Sequence, residues 1–203
     1  MDSIERLPNR ELIAGGPLSR AFMAVGLKTF RDACHYVHRM PYGYNSTKDD
    51  PLILFAEGFG SCTTKHMAIG VLAKEMELPV GKCIGIYPMK ERFVAGADRI
   101  CSEFGLTAIP VVHCFLVYDR FRVDLTEGNL NGKKGPIDNF LFTRNVPPDI
   151  SSRDEYRLYR QALQDEVLTQ PDWADVTLKT ILAAREKALA LLKTNMQQQQ
   201  AAA

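Results

Sequence analysis

The sequence predicts a mixed fold of α-helices and β-strands, and three stretches carry this prediction. Residues 62–77 repeat apolar side chains at helical spacing, residues 111–125 contain two strand-like runs around a short turn, and residues 152–195 hold two further helical patterns. The chain has 203 residues, of which 46% are hydrophobic and 24% are charged. This length and composition fit a globular protein with a substantial core.

The charge balance and the cysteine pattern limit which ligands and which cellular compartment the sequence predicts. The 25 basic and 24 acidic residues leave a formal net charge of +1, which argues against a general electrostatic nucleic-acid binder. No apolar run approaches the ~20 residues of a membrane span, and the polar start of the chain lacks the apolar core of a signal peptide. Five cysteines without CxxC spacing predict a cytoplasmic protein. We expect no nucleic acid, no membrane, no metal and no cofactor among its ligands.

The first quarter of the chain predicts one helix followed by a loop. Ser19 is a candidate N-cap for a helix over residues 19–39. A polar loop over residues 42–51 follows, and residues 52–56 form a short apolar segment that leads into a glycine-containing turn.

A cysteine, Cys62, opens the next predicted helix, residues 62–77. It lies seven residues before Ile69 and therefore belongs to the apolar face of that helix. One interpretation is a buried, inert core cysteine, which burial statistics favour for a cysteine considered alone. The other is a nucleophile, because the positive end of a helix favours the thiolate form of a cysteine.

Beyond this helix the periodicity predicts strands first and helices last. The predicted elements are a strand over 82–87, a short helix over 97–104, a hairpin over 111–125, and helices over 152–169 and 174–195. The two C-terminal helices are expected to pack as an antiparallel pair, on the main domain or against a second subunit. The connection over 127–148 is long, as is typical of lids and binding loops.

The hairpin places a histidine and a carboxylate near each other. A two-residue or four-residue turn pairs Tyr118 with Phe121 and, further along, Phe115 with Asp124. His113 is then the diagonal neighbour of Asp124 on one face, ~7–8 Å away by Cα. A lone strand histidine is more often structural, but the carboxylate on the same face favours an oriented His–Asp pair.

Cys62, His113 and Asp124 supply the three side chains of a cysteine-nucleophile site. The imidazole would accept the thiol proton and the carboxylate would hold the ring in place. Backbone N–H groups at the helix start could form part of an oxyanion hole. Such a triad predicts acyl transfer through an acyl-thioester intermediate, on an amide, ester or thioester substrate that is a small molecule or a peptide.

These motifs resemble the transglutaminase-like superfamily of the papain-like cysteine-protease fold. Gly60-Ser61-Cys62 stands at a helix start, His113 on a strand, and Asp124-Leu125-Thr126 on the next strand. The run from Gly60 to His66 is similar to a bacterial transglutaminase-like group. The resemblance covers about residues 40–127. It implies an α+β core in which the Cys helix packs on an antiparallel sheet, and the activity of a cysteine hydrolase or acyltransferase.

The predicted organisation has one catalytic domain with additions at its C-terminal end. Residues 1–150 form the transglutaminase-like domain, residues 151–196 a helical extension packed on it, and residues 197–203 a low-complexity tail. The extension is compatible with a monomer or with a homodimer.

Three residues near Cys62 are candidates for supporting roles. His66, one helical turn after Cys62, is an alternative base or, more in keeping with its place, a residue that packs against or supports the side chains of the site. Lys65 raises the local positive potential or is solvated. Glu57 binds a substrate cation or caps the Cys helix.

One departure from the superfamily pattern motivates a second hypothesis. Members often have an aromatic residue, commonly tryptophan, at or near the catalytic histidine, whereas here Cys114 and Phe115 follow His113. The single tryptophan, Trp173, lies far downstream. The alternative function is a non-catalytic binding or assembly module that retains the fold.

Overall fold

The computed structural model describes residues 1–173 and 175–203. Within these residues seven α-helices and a four-stranded antiparallel sheet make an α+β fold, in agreement with the predicted class. The helices are α1 (Pro17–Ala24), α2 (Phe30–Arg39), α3 (Ile53–Glu57), α4 (Cys62–Glu75), α5 (Ala97–Phe104), α6 (Ser152–Ala162) and α7 (Leu178–Ala201). The strands are β1 (Val80–Met89), β2 (Ile109–Tyr118), β3 (Phe121–Val123) and β4 (Phe142–Val146), in the order β3-β2-β1-β4. None of the described helices has the length and apolar character needed to cross a membrane.

The chain divides into two compact units. Unit 1 contains Met1–Ile84, Cys114–Asn129 and Arg144–Ser152, and unit 2 contains Gly85–His113, Leu130–Thr143 and Arg153–Ala203. This partition differs from the predicted boundary at residue 150, because both units draw on residues 1–150. The predicted tail is a continuous part of α7, which runs to Ala201.

The core of unit 1 lies between its helices and the hairpin end of the sheet. Helix α4 is buried on nearly all sides, as expected of a central helix. Its apolar residues pack with α1, α2 and side chains of β2 and β3; the fully buried members include Phe22, Phe30, Val37, Ile69, Leu72, Leu116 and Val123.

The core of unit 2 is built on helices α5, α6 and α7. Buried side chains of α6 and α7 belong to one apolar cluster, so the two predicted C-terminal helices do contact each other. The Arg185 guanidinium of α7 lies 5.0 Å from the ring centroid of Tyr159 in α6. The Tyr159 hydroxyl in turn donates to the backbone oxygen of Pro110 at 2.8 Å.

The predicted single helix over residues 19–39 is wrong, because two helices occupy this range. Gly26 takes a left-handed conformation with φ of 85° after α1, a conformation that favours glycine. Helix α2 then begins with a capping box, in which Thr29 Oγ1 accepts the Asp32 N–H and the Asp32 carboxylate accepts the Thr29 N–H. Ser19 lies inside α1, which begins after Gly16.

The predicted hairpin register is confirmed where the strands pair. Leu116 lies opposite Val123, and Tyr118 lies opposite Phe121. Strand β3 ends at Val123, so Asp124 stands immediately beyond the ladder. Strand β4 falls within the predicted connection 127–148, where the mostly polar residues of an edge strand lack the alternation that predicts strands.

Candidate active site

The turn before α4 places Cys62 at the first position of the helix. Gly58 ends α3 with φ of 74°, and a Cβ on Gly60 would lie 2.3 Å from a side-chain carbon of that helix. Ser61 has the extended backbone of an N-cap, and its N–H donates to Thr64 Oγ1 at 2.9 Å. The chain therefore needs small residues to turn this sharply into the Cys helix.

Exposure separates Cys62 from its neighbours and from the other cysteines. Cys62 is partly exposed, whereas the remaining four cysteines are buried. The residues that follow it in the first turns are buried as well: Thr63, Thr64, Lys65 and His66. The interpretation of Cys62 as a fully buried core cysteine is therefore wrong. Cys62 lies in the first turn of α4, at the end of the apolar face of this helix, and is therefore at the edge of the core.

A hydrogen-bonded loop supports the start of α4. The Thr64 hydroxyl donates to Asn45 Oδ1 at 2.7 Å, and Asn45 Nδ2 donates to Glu57 Oε2 at 2.8 Å and to the Phe59 oxygen at 2.9 Å. Hydrogen bonds from Ser46, and then from Asn45, lower the pKa of Glu57. Glu57 thus supports the cap of α4 at one remove, through Asn45.

Two tyrosines of this loop reach Cys62. The backbone N–H of Cys62 donates to the phenolic oxygen of Tyr42, whose side chain is only 6% exposed. The Tyr42 and Tyr44 rings meet edge to face with centroids 5.9 Å apart. Burial raises the pKa of Tyr42 well above its usual range. Burial, followed by the neighbouring Cys62, raises the pKa of Tyr44 to about 12.

His66 fastens the first turn of α4 to the segment after β3. Its Nε2 accepts the Leu125 N–H at 2.8 Å, so this nitrogen carries no proton and Nδ1 is the protonated one. Nδ1 donates to the Cys62 oxygen at 2.6 Å. Asp124 Oδ1 lies 3.5 Å from Nε2, but an unprotonated nitrogen forms no ion pair with a carboxylate. These backbone contacts favour the packing role for His66 over that of a base.

Replacing His66 with phenylalanine should lower the free energy of unfolding by about 1–3 kcal/mol, because the buried Leu125 N–H loses its acceptor. Urea denaturation measures this change. His35→Phe, on the more exposed helix α2, is the matched control and should change stability by less than about 0.5 kcal/mol. A His66→Phe chain of unaltered stability that had lost its Cys62 reactivity would instead make His66 the base.

Lys65 is fully buried, so the solvated interpretation is wrong. Its ammonium donates to the Met40 oxygen at 2.5 Å, to Asn129 Oδ1 at 2.6 Å and to the His38 oxygen at 3.3 Å. His38 and Met40 lie at the C-terminal end of α2, where free carbonyl groups favour a cation. Burial lowers the pKa of Lys65 to about 7, and the charge of Asp124 opposes this shift.

Asp124 lies in unit 1 with Cys62. Its Oδ1 accepts the N–H of Thr126 at 2.8 Å and the hydroxyl of Thr126 at 2.7 Å, which holds the carboxylate in a tight turn. The side chain is buried, and its negative charge acts on Lys65 and on the Tyr42 hydroxyl. Unit 1 therefore gives Asp124 and Cys62 a common neighbour, the Tyr42 hydroxyl.

His113 lies in unit 2 and is almost completely buried. Its ring meets the Tyr87 ring edge to face with centroids 6.3 Å apart. The Lys133 Nζ lies 3.3 Å from His113 Nδ1, and because an ammonium only donates, Nδ1 acts as the acceptor. Gln199 of α7 holds the Lys133 backbone oxygen through its Nε2 at 3.1 Å.

The sequence does not predict the contacts that the tyrosine pair and Lys133 make with the predicted site residues. Tyr42 and Tyr44 fall in a stretch that reads as a polar loop, and their contact with Cys62 depends on a bridge between Tyr42 and Gly60 that no local pattern signals. Lys133 belongs to a basic pair that is normally solvated. The only indication in the sequence is that the tyrosine pair and Lys133 lie in loops that flank predicted site residues.

Comparison of the chain with protein-family models, with curated proteins and with solved structures found no match. The function is accordingly inferred from the residues and their geometry.

Proposed function

We propose that the protein is a transglutaminase-like cysteine enzyme that transfers acyl groups, either to water as an amide or peptide hydrolase or to another acceptor as an acyltransferase. Cys62 is the nucleophile, His113 the base and Asp124 the carboxylate that orients it. The observation that carries the proposal is the partial exposure of Cys62 at the first position of α4, within a turn whose following side chains are buried.

The surroundings of Cys62 suit this role. Helix α4 directs positive partial charge toward the cysteine, which favours the thiolate. The hydrogen bonds of Thr64, Lys65 and His66 hold the first turn against two segments of unit 1, the loop at Asn45 and the stretch that contains Leu125 and Asn129. A nucleophile on a rigid turn needs little reorganisation to reach the reacting geometry.

The proposed reaction proceeds in two halves. His113 takes the thiol proton, the sulfur of Cys62 attacks the substrate carbonyl carbon, and the carbonyl π electrons move onto oxygen. Collapse of this intermediate expels the leaving group, which takes the proton from His113, and leaves an acyl-thioester on Cys62. Water or an amine then attacks the thioester and gives a proton to His113, which returns it to the sulfur, so the thiol re-forms as the acyl product departs.

Alkylation with iodoacetamide as a function of pH tests the proposal. We expect Cys62 to react rapidly at pH 6, where an ordinary thiol is almost entirely protonated. The other four cysteines are internal controls, because burial raises the pKa of Cys34, of Cys83 (to about 11) and of Cys101, and Cys114 is buried. A Cys62 rate that climbs tenfold per pH unit from pH 6 to 8, as for a free thiol, contradicts activation.

A second candidate function is the binding or assembly module. The Lys133 ammonium favours it, because a cation beside His113 Nδ1 opposes the protonation that a general base requires. The same alkylation profile separates the two functions, since a binding module has no use for a reactive thiol. Lys133→Met adds a second criterion: an enzyme whose base is restrained by Lys133 should gain alkylation rate at Cys62, whereas a binding module should not.

A further inference from the structure

We propose that the Tyr42 hydroxyl is the second hydrogen-bond donor to the oxyanion that forms when Cys62 attacks a carbonyl group. This inference rests on the proposed function. It assigns a catalytic role to a residue outside the Cys-His-Asp set.

The backbone holds Tyr42 against the turn that delivers Cys62. Gly60 N–H donates to the Pro41 oxygen at 3.1 Å, and Gly43 N–H donates to the Gly60 oxygen at 3.2 Å. These two hydrogen bonds flank Tyr42 and form a parallel bridge with Gly60. The position of the tyrosine is thus coupled to the same turn that positions the nucleophile.

The hydrogen bond between Cys62 and Tyr42 marks where an oxyanion would lie. In acyl transfer to a cysteine at a helix start, the N–H of the nucleophile is itself an oxyanion donor. Here that N–H donates to the Tyr42 oxygen. A substrate carbonyl oxygen that accepts the Cys62 N–H competes with the Tyr42 oxygen for that donor, and it therefore lies beside the Tyr42 hydroxyl.

The chemical state of Tyr42 suits a donor. Burial, together with the neighbouring Cys62, Tyr44 and Asp124, raises the pKa of the hydroxyl well above its usual range. The phenol consequently keeps its proton at every pH at which a cysteine enzyme works. Rotation about the C–O bond directs this proton to the new anion.

The step conserves protons and electrons. As the Cys62 sulfur bonds to the carbonyl carbon, the carbonyl π pair becomes an oxyanion lone pair, which accepts hydrogen bonds from the Cys62 N–H and the Tyr42 O–H. No proton is transferred to the oxyanion. When the lone pair re-forms the carbonyl, the leaving group departs with the proton held by His113, and both donors are released.

Acylation and alkylation of Cys62, measured side by side, test the assignment. 4-Nitrophenyl acetate acylates through an oxyanion, whereas iodoacetamide alkylates by direct displacement and forms none. Tyr42→Phe should lower the acylation rate constant about 100-fold and leave the alkylation rate constant within about twofold. Tyr36→Phe is the matched control and should alter neither rate, because it removes a hydroxyl from a ring of α2 that packs on Phe22 of α1.

Each outcome has a separate meaning. If the natural chain is not acylated at Cys62, the proposed function itself is rejected, whatever the role of Tyr42. If it is acylated and Tyr42→Phe is equally fast, only the Tyr42 assignment is overturned. Equal losses of acylation and alkylation also overturn it, because they would mean that Tyr42 acts on the thiol. The four buried cysteines report folding, since they stay unlabelled in any variant whose core is intact.

Discussion

Replacement of Cys62 by alanine should abolish acyl transfer while leaving the fold unchanged. Turnover of 4-nitrophenyl acetate, or of any thioester substrate found in a panel, should fall at least about 1,000-fold, because the variant has no atom that can form the covalent intermediate. The free energy of unfolding should change by less than about 0.5 kcal/mol, since a partly exposed thiol contributes little packing. Intact-mass spectrometry and thermal denaturation measure the two effects.

Cys34→Ala provides the matched control for this variant. Cys34 is fully buried in α2, so its loss should cost about 1–2 kcal/mol of stability through the cavity it leaves. Acylation at Cys62 should continue at the natural rate. The proposed function would be rejected if Cys62→Ala retained turnover, or if it lost turnover only in proportion to a loss of folded protein.

Lys65 should make the stability of the protein depend on pH in the alkaline range. Folding lowers its pKa from 10.5 to about 7, so between these values the folded chain binds fewer protons than the unfolded chain. Stability from this group therefore rises with pH across that interval. We expect the difference in unfolding free energy between the natural chain and Lys65→Met to grow by up to about 4–5 kcal/mol from pH 7 to pH 10.5.

Lys74→Met is the control for the pH dependence of Lys65. Lys74 lies in the last turn of the same helix, and its side chain is 69% exposed. Its replacement should shift stability by less than about 0.5 kcal/mol and by the same amount at every pH. The three oxygen acceptors and Asp124 favour the ammonium form of Lys65, so the size of the rise measures how far these contacts offset burial. A difference that shrinks as the pH rises would mean that folding raises the pKa instead.

Patterns among residues that are close together in the chain are sufficient to predict several elements of this fold. The glycine turn predicts the start of α4 at Cys62, and the spacing of apolar residues predicts α5 over the residues it occupies. The hairpin pairing follows from a turn of fixed length, since side chains alternate strictly along strands. The same kind of signal is present in residues 19–39, where Gly26 and the Thr29–Asp32 capping box divide one predicted helix into two.

Such local patterns do not predict the surroundings of the three predicted site residues. Cys62 and Asp124 share unit 1, and both act electrostatically on the Tyr42 hydroxyl. His113 lies in unit 2, where Lys133 contacts its ring. Sequence order nominates all three side chains as a triad, but the surroundings that tune each one come from segments far away in the chain.

The amino-acid pattern alone predicted a mixture of helices and strands, the cysteine at a helix start and the hairpin register, because each depends on residues that are neighbours in the chain. Tertiary packing decided the exposure of Cys62, the burial of Lys65 and the contact of Tyr42 with the Cys62 N–H. These properties join residues separated by 20 to more than 60 positions, such as Lys65 and Asn129. Periodicity carries no information at such separations, since it describes which face of an element is apolar and not which element covers it.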